Sequence, residues 1–479
     1  MKKSLSRRQF TKTAAASIAA PFILPKLGFG ASHAAQKPNL AWVGLGGQGI
    51  GNLSNFIGSC NVVGLCDVDL RNDPSRTPIR IKGKPVNFIY GCKQLYPGAK
   101  IYQDFRKMFL EIGDKIDAVG IATHDSSHFA VAHMAMSMGK HVFMQKPLAH
   151  SVTELRTLQG LTNQNNLITQ MGNQGHSFEG ARLIKEWYQA GLIGDVEEVI
   201  CWTNRPEKGF GFKGLTSTSF PPKVKVPEGL DWDAWKGPVD KEVGYSDDLH
   251  PFTWRAWWDF GCGGLGDIGC HTIDTPYWAL DLGYPTRVDV EVERTDPLVT
   301  PNGSIVSYEF PKRGSQPPVR LRWFEGPTVP IKPQMLGEQE MPADGMIMIG
   351  SKGAIYHPGM RPNSPQLLPD SKWQEYRKNP SKRVPKSIPR VEGIFADWVN
   401  GLNTGEQPCS NFNYAAPLTE VIVLGTLAIR TGQSVVWDPK KMKITNNNSE
   451  ASKLIDVKAR KGWRAEDLTA DTAGKFVKG

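Results

Sequence analysis

A glycine-rich segment directly after a short apolar strand constrains this chain more than any other feature. It reads GLGGQG over residues 44–49 and precedes a predicted helix. A GxGxxG pattern between a strand and a helix is typical of the loop that binds a dinucleotide pyrophosphate. Gly44 allows the tight turn, Gly46 lets the backbone approach the phosphates, and Gly49 lets the helix pack closely. Gly47 is a fourth candidate contact for such a cofactor.

An acidic residue follows the second predicted strand at the position that usually decides between the two nicotinamide dinucleotides. Asp67 closes the strand 61–66, 18 residues after Gly49. A carboxylate here can accept hydrogen bonds from the adenosine ribose and would repel a 2′-phosphate, so NAD is favoured over NADP. Arg71 nearby weakens this preference slightly, because it could approach a phosphate.

The chain alternates strands and helices as far as about residue 178. This order predicts a parallel sheet with right-handed crossovers, and therefore an N-terminal Rossmann dinucleotide-binding domain over residues 36–178. The predicted strands are 40–43, 61–66, 117–122, 141–144 and 167–171, with helices at 129–138 and 151–164.

After residue 179 the pattern changes to longer strands, which predicts a C-terminal α/β domain over 179–445 with a large open, mostly antiparallel sheet. An insert rich in Pro, Gly and Trp, 206–253, is too long for an ordinary connection and is expected to cap a site. The tail, 446–479, is expected to be peripheral. The predicted strands are 197–203, 287–293, 304–310, 319–324 and 346–349, with helices at 180–190, 393–402 and 415–429.

The N-terminus has the pattern of a twin-arginine export signal. Arg7 and Arg8 stand in the sequence SRRQF, an apolar stretch follows over 13–24, and small residues at 32 and 34 suit a signal peptidase. We therefore expect a signal peptide over 1–34, handling by the twin-arginine machinery, and a periplasmic or otherwise exported protein. This pathway moves folded proteins, so the cofactor should be loaded beforehand and stay tightly bound.

Charge and cysteine content narrow the possible partners. Removing residues 1–34, which hold six basic residues and no acid, lowers the net charge from +10 to +4. With acids and bases interspersed, nucleic acid is not an expected partner. No later apolar run reads as a stable membrane anchor. The seven cysteines are scattered singly with no CxxC pair, so at least one is unpaired.

A lysine at the end of the strand 141–144 is the first candidate catalytic residue. Lys146 lies in the sequence Gln145-Lys146-Pro147. The carboxyl ends of parallel strands line the crevice where ligands bind in open α/β sheets, so this ammonium group should face the cofactor and substrate.

A second catalytic cluster is predicted in the glycine-rich segment 263–271. Asp267 and His271 are four residues apart, so if Asp267 begins a helix both project from one face, and His271 can serve as a base. The preceding aromatic stretch adds Arg255 and Asp259 as candidates for binding substrate hydroxyls. Trp257 is a candidate for stacking on a sugar, although core packing is the commoner role of tryptophan.

A metal site was considered at His124 and His128, which lie one helical turn apart. No carboxylate or cysteine completes a ligand set, and the pair falls where nicotinamide should lie. We therefore expect no metal.

In this order and spacing, the fingerprint, the Lys-Pro step and the Asp-x3-His segment resemble the Gfo/Idh/MocA oxidoreductases over essentially the whole chain after the signal. The resemblance implies catalytic roles for Lys146, Asp267 and His271. It also implies an outward-facing sheet that pairs subunits, hence a homo-oligomer. Gln145 departs from the family's usual glutamate. Further candidates for cofactor contact are Thr123, His128, Asn173 and Gln174.

Three functions fit these features. The first is an NAD(P)-dependent oxidoreductase that acts on a hydroxyl of a sugar, cyclitol or glycoside. The second is an NAD-dependent glycosidase that oxidises its substrate transiently, eliminates the leaving group and returns the hydride. The third, from another class, is a non-catalytic sugar-binding or sensing protein on the same fold.

Overall fold

A computed structural model describes residues 37–71, 79–81, 84–86, 88–205, 219–328, 330, 332–338 and 340–477. The predicted signal peptide, 1–34, lies outside these residues, and so does the first part of the insert, 206–218. From residue 37 onward the chain forms one compact unit.

The strands, in chain order, are β1 (Asn39–Val43), β2 (Asn61–Cys66), β3 (Ile79–Ile81), β4 (Lys84–Val86), β5 (Lys100–Tyr102), β6 (Ala118–Ile121), β7 (His141–Met144), β8 (Thr169–Met171), β9 (Val196–Thr203), β10 (Arg287–Glu291), β11 (Ser304–Phe310), β12 (Val319–Glu325), β13 (Asp344–Gly350), β14 (Gly353–Pro358), β15 (Gln366–Leu368), β16 (Val435–Asp438) and β17 (Lys443–Ile444). The α-helices are α1 (Gln48–Leu53), α2 (Phe88–Leu95), α3 (Phe105–Ile112), α4 (Asp125–Ser137), α5 (Val152–Gln164), α6 (Glu179–Gln189), α7 (Trp232–Lys236), α8 (Cys270–Thr272), α9 (Asp274–Ala279), α10 (Asp370–Lys378), α11 (Ile394–Thr404), α12 (Phe412–Thr431) and α13 (Ser449–Lys453).

The N-terminal part is a six-stranded parallel sheet in the order β5-β2-β1-β6-β7-β8. This doubly wound order confirms the predicted Rossmann fold and brings the carboxyl ends of β1, β2, β6 and β7 to one edge. α5 shows how local sequence fixes an element here. Ser151 and Glu154 form a reciprocal capping box at its first turn, which satisfies backbone N–H groups that the helix leaves unpaired.

The C-terminal part contains a nine-stranded sheet in the order β15-β14-β13-β9-β12-β11-β10-β16-β17. Its described strands pair antiparallel except for β9 with β12, so the predicted mostly antiparallel sheet is confirmed. The sequence missed β14 to β17. Three of these strands have two to four residues, too few to show an alternating pattern.

One helix, α12, is long and apolar enough to cross a membrane by length and composition, contrary to the expectation that no later segment has such a run. Most of this helix is buried inside the protein, where it packs against α5 and the sheet strand β10. A helix that is apolar on all sides is also typical of the buried core of a large protein.

The C-terminal segments tie the two parts together. α11 packs on the Rossmann sheet, with Ile394 and Trp398 buried beside Trp42. The prediction of a peripheral tail over 446–479 is wrong, because Trp463 and Leu468 are buried in the main core. Isolated apolar residues in a polar tail carry no periodic signal, so only their tertiary contacts reveal this packing.

All seven cysteines are free thiols; six are buried and Cys409 is half-buried. Burial raises the pKa of several of them, including Cys92 to about 12, which keeps these thiols protonated and inert.

Candidate active site

The glycine-rich loop joins β1 to α1 and lies against the loop that follows β6. Gly44 has a φ of +86°, and a Cβ there would lie 2.4 Å from the carbonyl oxygen of Ala122. A Cβ on Gly49 would lie 2.1 Å from the carbonyl oxygen of Gly44. Both positions therefore require glycine, for the tight turn and for close packing of the helix.

The rim of the same loop fits a diphosphate. Gly47 has a φ of +52°, and a Cβ there would meet no described atom within 4 Å, so the residue leaves open space above the loop. Among the described residues, none accepts a hydrogen bond from the backbone N–H groups of Gly47 or Gln48. Unpaired N–H groups around an open concavity are suited to phosphate oxygens. The role of Gly46 stays a prediction.

Asp67 is fixed at the end of β2 by the glycine-rich loop itself. Its carboxylate accepts hydrogen bonds from the backbone N–H of Leu45 at 2.7 Å and of Asp69 at 2.9 Å. The carboxylate therefore lies beside the proposed pyrophosphate loop, and its contact with an adenosine ribose stays a prediction.

The other predicted cofactor residues lie on two neighbouring loops. His128 is buried, with Nδ1 2.7 Å from the carbonyl oxygen of Pro147 and Nε2 3.2 Å from that of Thr123. Burial lowers the pKa of His128 to about 4, so the imidazole is neutral and its single N–H donates to one of these two carbonyl oxygens, of which that of Pro147 is the nearer. His128 thus holds the Lys146-Pro147 turn in place. Asn173 is fully buried and accepts from the Ser410 hydroxyl at 2.7 Å.

Lys146 and Asp267 form the centre of the candidate site. The ammonium group after β7 donates to Asp267 Oδ1 at 2.7 Å, and both side chains are mostly buried. Burial alone would raise the pKa of Asp267, but the charges of Lys146 and Arg255 more than offset it and hold that pKa below its usual range.

The local geometry around Asp267 differs from the prediction. Asp267 does not begin a helix but lies inside a π-helical turn, Leu265–Gly269, which continues into α8. A π turn is wider than an α turn and often occurs at functional sites. It places Asp267 toward Lys146, and no hydrogen bond joins Asp267 to His271 in the described part of the chain.

His271 is buried, and its Nδ1 has no hydrogen-bond partner among the described residues. Burial, together with the positive charges of Arg361 and Lys146, holds the pKa of His271 well below its usual value. The imidazole is therefore neutral at physiological pH and can accept a proton.

Two groups near these residues were missed by the sequence analysis. Asp125, the first residue of α4, accepts from the Cys262 backbone N–H at 3.0 Å, and burial raises its pKa to about 7. Its position directly after β6 was the one available signal, because that is the ligand-binding edge of the sheet. Arg361 follows β14 and donates to Gln174 Oε1 at 3.2 Å. Since β14 itself was missed, nothing in the sequence placed Arg361 here.

The three predicted substrate residues have different environments. Arg255 lies at the site, with its Nε 3.5 Å from Asp267 Oδ1, an ion pair without hydrogen-bond geometry. Trp257 is 2% exposed and stacks on Phe220 inside an aromatic cluster, so it cannot stack on a sugar as placed. Asp259 pairs with Lys241 at 2.8 Å near the surface. The structure therefore gives no support to Trp257 and Asp259 as substrate contacts, because packing and an ion pair already engage them.

Residues 219–262, which we call the cap segment, cover the carboxyl ends of β2 and β6. His250 Nε2 lies 2.8 Å from Asp69 Oδ2, and the Asp231 backbone N–H donates to the Val68 carbonyl. At β6, His124 Nε2 lies 2.6 Å from the carbonyl oxygen of Trp235. The predicted capping role of this insert agrees with the contacts of its described part.

These contacts also engage the two histidines considered as metal ligands. Both His124 and His128 bond backbone carbonyls. Across the described residues, no group of three or more His, Cys, Asp and Glu side chains could hold a metal ion.

A parallel six-stranded sheet with this loop, joined to a second domain in which a π-helical turn and α8 carry Asp267 and His271, defines a two-domain dinucleotide-binding protein. Two family models match it: "Oxidoreductase family, NAD-binding Rossmann fold" over residues 92–173 and "Oxidoreductase family, C-terminal alpha/beta domain" over 181–309. Over these residues the chain matches the models of the Gfo/Idh/MocA oxidoreductases, and the resemblance stated from the sequence is confirmed there.

Curated relatives match over part of their length. The chain is 30% identical over 188 residues to a "Glycosyl hydrolase family 109 protein 2" of Akkermansia muciniphila, covering 32% of this chain and 37% of that protein. It is 25% identical over 160 residues to a levoglucosan dehydrogenase of Pseudarthrobacter phenanthrenivorans, covering 33% of this chain and 32% of that protein. The chain thus spans about a third of the length of these relatives.

Solved structures match over nearly the whole fold. The WlbA dehydrogenase of Bordetella pertussis, solved with NADH and UDP-GlcNAcA, has a TM-score of 0.54 at 15% identity, covering 84% of this chain and 99% of that one. At this identity the likeness establishes the two-domain fold.

Proposed function

We propose that this protein is an exported NAD-dependent oxidoreductase that transfers hydride between a tightly bound nicotinamide cofactor and a hydroxyl-bearing carbon of a sugar, cyclitol or glycoside. The observation that carries the proposal is the Lys146–Asp267 pair at 2.7 Å beside a neutral, buried His271. These groups lie at the edge of the sheet where a dinucleotide binds in such folds.

The residues expected to hold the cofactor are those of the glycine-rich loop, with Asp67 at the adenosine ribose. NAD is preferred to NADP because the Asp67 carboxylate would repel a 2′-phosphate. When bound, the nicotinamide accepts or returns the hydride, which is chemistry that amino-acid side chains do not supply.

The side chains handle the proton and the developing charge. His271, held neutral by burial and by nearby cations, takes the proton of the reacting hydroxyl. The Lys146 ammonium group donates to the same oxygen and stabilises its negative charge as the carbonyl forms. Asp267 keeps Lys146 in place through their hydrogen bond and, with no bond to His271, acts as a positioning residue.

Cofactor retention is supported by the cap segment. It packs on the ends of β2 and β6 through Asp69–His250 and His124–Trp235 contacts, and therefore covers the side from which a dinucleotide would leave. Export is supported by the twin-arginine pattern at Arg7 and Arg8. Outside the cytoplasm no pool of NAD is expected, so each turnover would restore the bound cofactor through a second substrate, an electron acceptor or a redox-neutral cycle.

A second candidate function is an NAD-dependent glycosidase. The similarity to the Akkermansia muciniphila protein, whose name is that of a glycosyl hydrolase, favours it. A cycle that oxidises and then reduces the same sugar consumes no NAD, which suits a retained cofactor. A non-catalytic sugar-binding protein is less well supported, since such a protein has no need of the buried ion pair and the neutral His271.

Two measurements test the proposal. Absorbance and mass spectrometry of denatured purified protein should detect NAD(H); absence of any nicotinamide nucleotide, with no affinity for added NAD or NADP, would refute it. Sugars and aryl glycosides should then be incubated with the protein while NADH and released aglycone are both followed. NADH without aglycone supports the dehydrogenase, and aglycone without net NADH supports the glycosidase.

Export and assembly need separate tests. Replacing Arg7 and Arg8 by lysine should leave the protein in the cytoplasmic fraction, whereas unchanged fractionation would refute twin-arginine export. We also propose a homo-oligomer that pairs through the outer face of the C-terminal sheet. That face carries ion pairs such as Arg320–Glu309 at 2.6 Å. Light scattering should report more than one subunit, and an E309R variant should weaken the assembly.

A further inference from the structure

Positive charge exceeds negative charge around the candidate catalytic residues. Lys146 and Arg255 both approach one carboxylate oxygen, Asp267 Oδ1, at 2.7 and 3.5 Å. Arg361 and Arg205 both act electrostatically on His271. Lys146 and Arg255 therefore share one ionised carboxylate, Asp267.

The other carboxylates nearby do not balance this excess. Asp125 is buried with a pKa raised to about 7, so it is only partly ionised at neutral pH. Asp344 lies within electrostatic range of Arg361, but its Oδ1 accepts from the Thr203 hydroxyl at 2.6 Å and it makes no ion pair with that arginine.

Arg361 has few polar partners among the described residues. Its Nη2 donates to the neutral Gln174 side chain at 3.2 Å, while its buried Nε has no partner among the described residues. No described carboxylate lies within 4 Å of its guanidinium. Leaving a partly buried guanidinium without a counter-charge is costly unless a ligand supplies one.

The arginine is also held in place by its own loop. The side-chain carbons of Arg361 lie so close to Gly175 that a Cβ there would be 3.3 Å from them. The Thr272 hydroxyl, next to His271, reaches the carbonyl oxygen of Met360 at 3.5 Å. Arg361 therefore lies between the segment after β8 and α8, the helix that contains His271. The planar guanidinium group of Arg361 is held in position to bind an anion.

Two further buried nitrogens in the same region, His271 Nδ1 and Arg255 Nε, have no hydrogen-bond partner among the described residues, although Arg255 Nε lies in an ion pair with Asp267. Together with Arg361 Nε they leave a set of polar groups that a bound ligand must satisfy. Hydroxyl groups can satisfy the imidazole, but the guanidinium groups are best matched by an anion.

We infer that the substrate is an acidic sugar, bearing a carboxylate or phosphate group that Arg361 binds while the reacting hydroxyl lies at Lys146 and His271. This inference rests on the proposed oxidoreductase function and narrows its substrate class. The same anionic chemistry could come from a uronic acid or from a sugar phosphate, and the test separates these.

The experiment uses the purified protein loaded with NAD and three ligands: glucose, glucuronate and glucose 6-phosphate. Binding is measured by calorimetry, and turnover is followed where it occurs. We expect one of the two acids to bind at least about tenfold more tightly than glucose, since a charge-assisted hydrogen bond contributes about that factor. This preference should weaken as salt is raised.

An R361Q variant should reduce the ratio of acid to glucose affinity by about tenfold or more. R361K keeps the positive charge but lacks the guanidinium group, so it should retain part of the preference for the acid over glucose. It provides a second variant in case R361Q does not fold. R294Q, at an exposed position in the loop after β10, is the matched control and should change nothing.

Other outcomes overturn the inference in distinguishable ways. Equal or absent binding of both acids relative to glucose, with NAD bound, refutes the acidic substrate and leaves the oxidoreductase standing. An R361Q variant that loses NAD itself assigns Arg361 to the cofactor and overturns its role at the substrate. Protein that never binds a nicotinamide nucleotide refutes the proposed function instead.

Discussion

Lys146 of the Rossmann domain and Asp267 of the C-terminal domain are 121 residues apart in the chain and 2.7 Å apart in the structure. Their contact joins the two domains at the point where cofactor and substrate should meet. Because both side chains are mostly buried, this ion pair is not one of the solvent-exposed salt bridges that contribute little to stability.

Replacing Lys146 with methionine should lower kcat by roughly 10²–10³-fold, as loss of one donor to a developing oxyanion does. NAD binding should persist, since the glycine-rich loop is unaffected. K185M, which removes a lysine paired with the exposed Asp281 elsewhere, is the control. Steady-state kinetics and equilibrium dialysis with NAD check both parts, and an unchanged kcat would remove Lys146 from the reaction.

Replacing His271 with alanine should reduce turnover by roughly two to four orders of magnitude while NAD stays bound, because the variant lacks a general base. H133Q changes a histidine of α4 whose ring lies tilted against that of Phe129, and it should retain activity. If both variants turn over substrate equally well, the proton is taken by another group.

The pH dependence of kcat/KM should reflect the lowered pKa of His271. The neutral imidazole is the active form, so activity falls only when pH drops below that pKa. Burial, Arg361 and Lys146 hold the pKa well below its usual value, and the acid limb should therefore lie well below about pH 6.5.

Removing a positive charge stabilises the imidazolium, so R361Q should move this limb to higher pH. Kinetics in a constant-ionic-strength buffer series would measure the shift, with R294Q, at an exposed loop position, as the control. If kcat/KM falls at the same acidic pH in the wild type and in R361Q, Arg361 does not lower the pKa of His271.

Two glycines that lie two residues apart in α1, Gly49 and Gly51, give a sharp test of the nucleotide loop. A Cβ on Gly49 would lie 2.1 Å from the Gly44 carbonyl oxygen, whereas one on Gly51 would meet nothing within 4 Å. G49A should lower the melting temperature and weaken NAD binding by about tenfold or more. G51A should retain binding and gain up to about 1 kcal/mol of stability. Equal behaviour in thermal melts and NAD titrations would show that this loop does not bind the cofactor.

The cap segment should control cofactor release. H250Q removes the imidazole that contacts Asp69, and it should accelerate NAD release by about tenfold, since a hydrogen bond to a charged group contributes about that factor. K241Q, at the outer surface of the same segment, should not. Release can be followed by fluorescence after mixing with excess unlabelled NAD. Equal release rates in both variants would mean that the cap does not retain the cofactor.

Much of the Rossmann half could be predicted because its signals are local. The strand boundaries 61–66 and 141–144 agree with β2 and β7 to the residue, and the predicted helix 151–164 differs from α5 only at Ser151, which caps it. A buried parallel strand is a continuous apolar run, and a helix cap is fixed by a few neighbouring residues, so both can be recognised within a short window.

The C-terminal half was harder, for physical reasons that particular residues show. β15 has three residues and is stabilised by its neighbour β14 rather than by its own sequence. The sequence makes Trp257 a candidate for stacking on a sugar because it is an aromatic residue. Its actual stacking on Phe220 depends on the tertiary structure of the cap segment. Such contacts join segments far apart in the chain, and no local pattern encodes them.

The sequence by itself determined the class of fold, the nucleotide loop and the identity of Lys146, Asp267 and His271 as candidates. The tertiary structure decided how they are connected. It turned Asp267 toward Lys146 through a π-helical turn, left His271 Nδ1 without a hydrogen-bond partner among the described residues, and brought Asp125 and Arg361 near them. The chemistry of a residue type is present in the sequence, but pKa and charge balance depend on burial and on neighbours that only folding brings together.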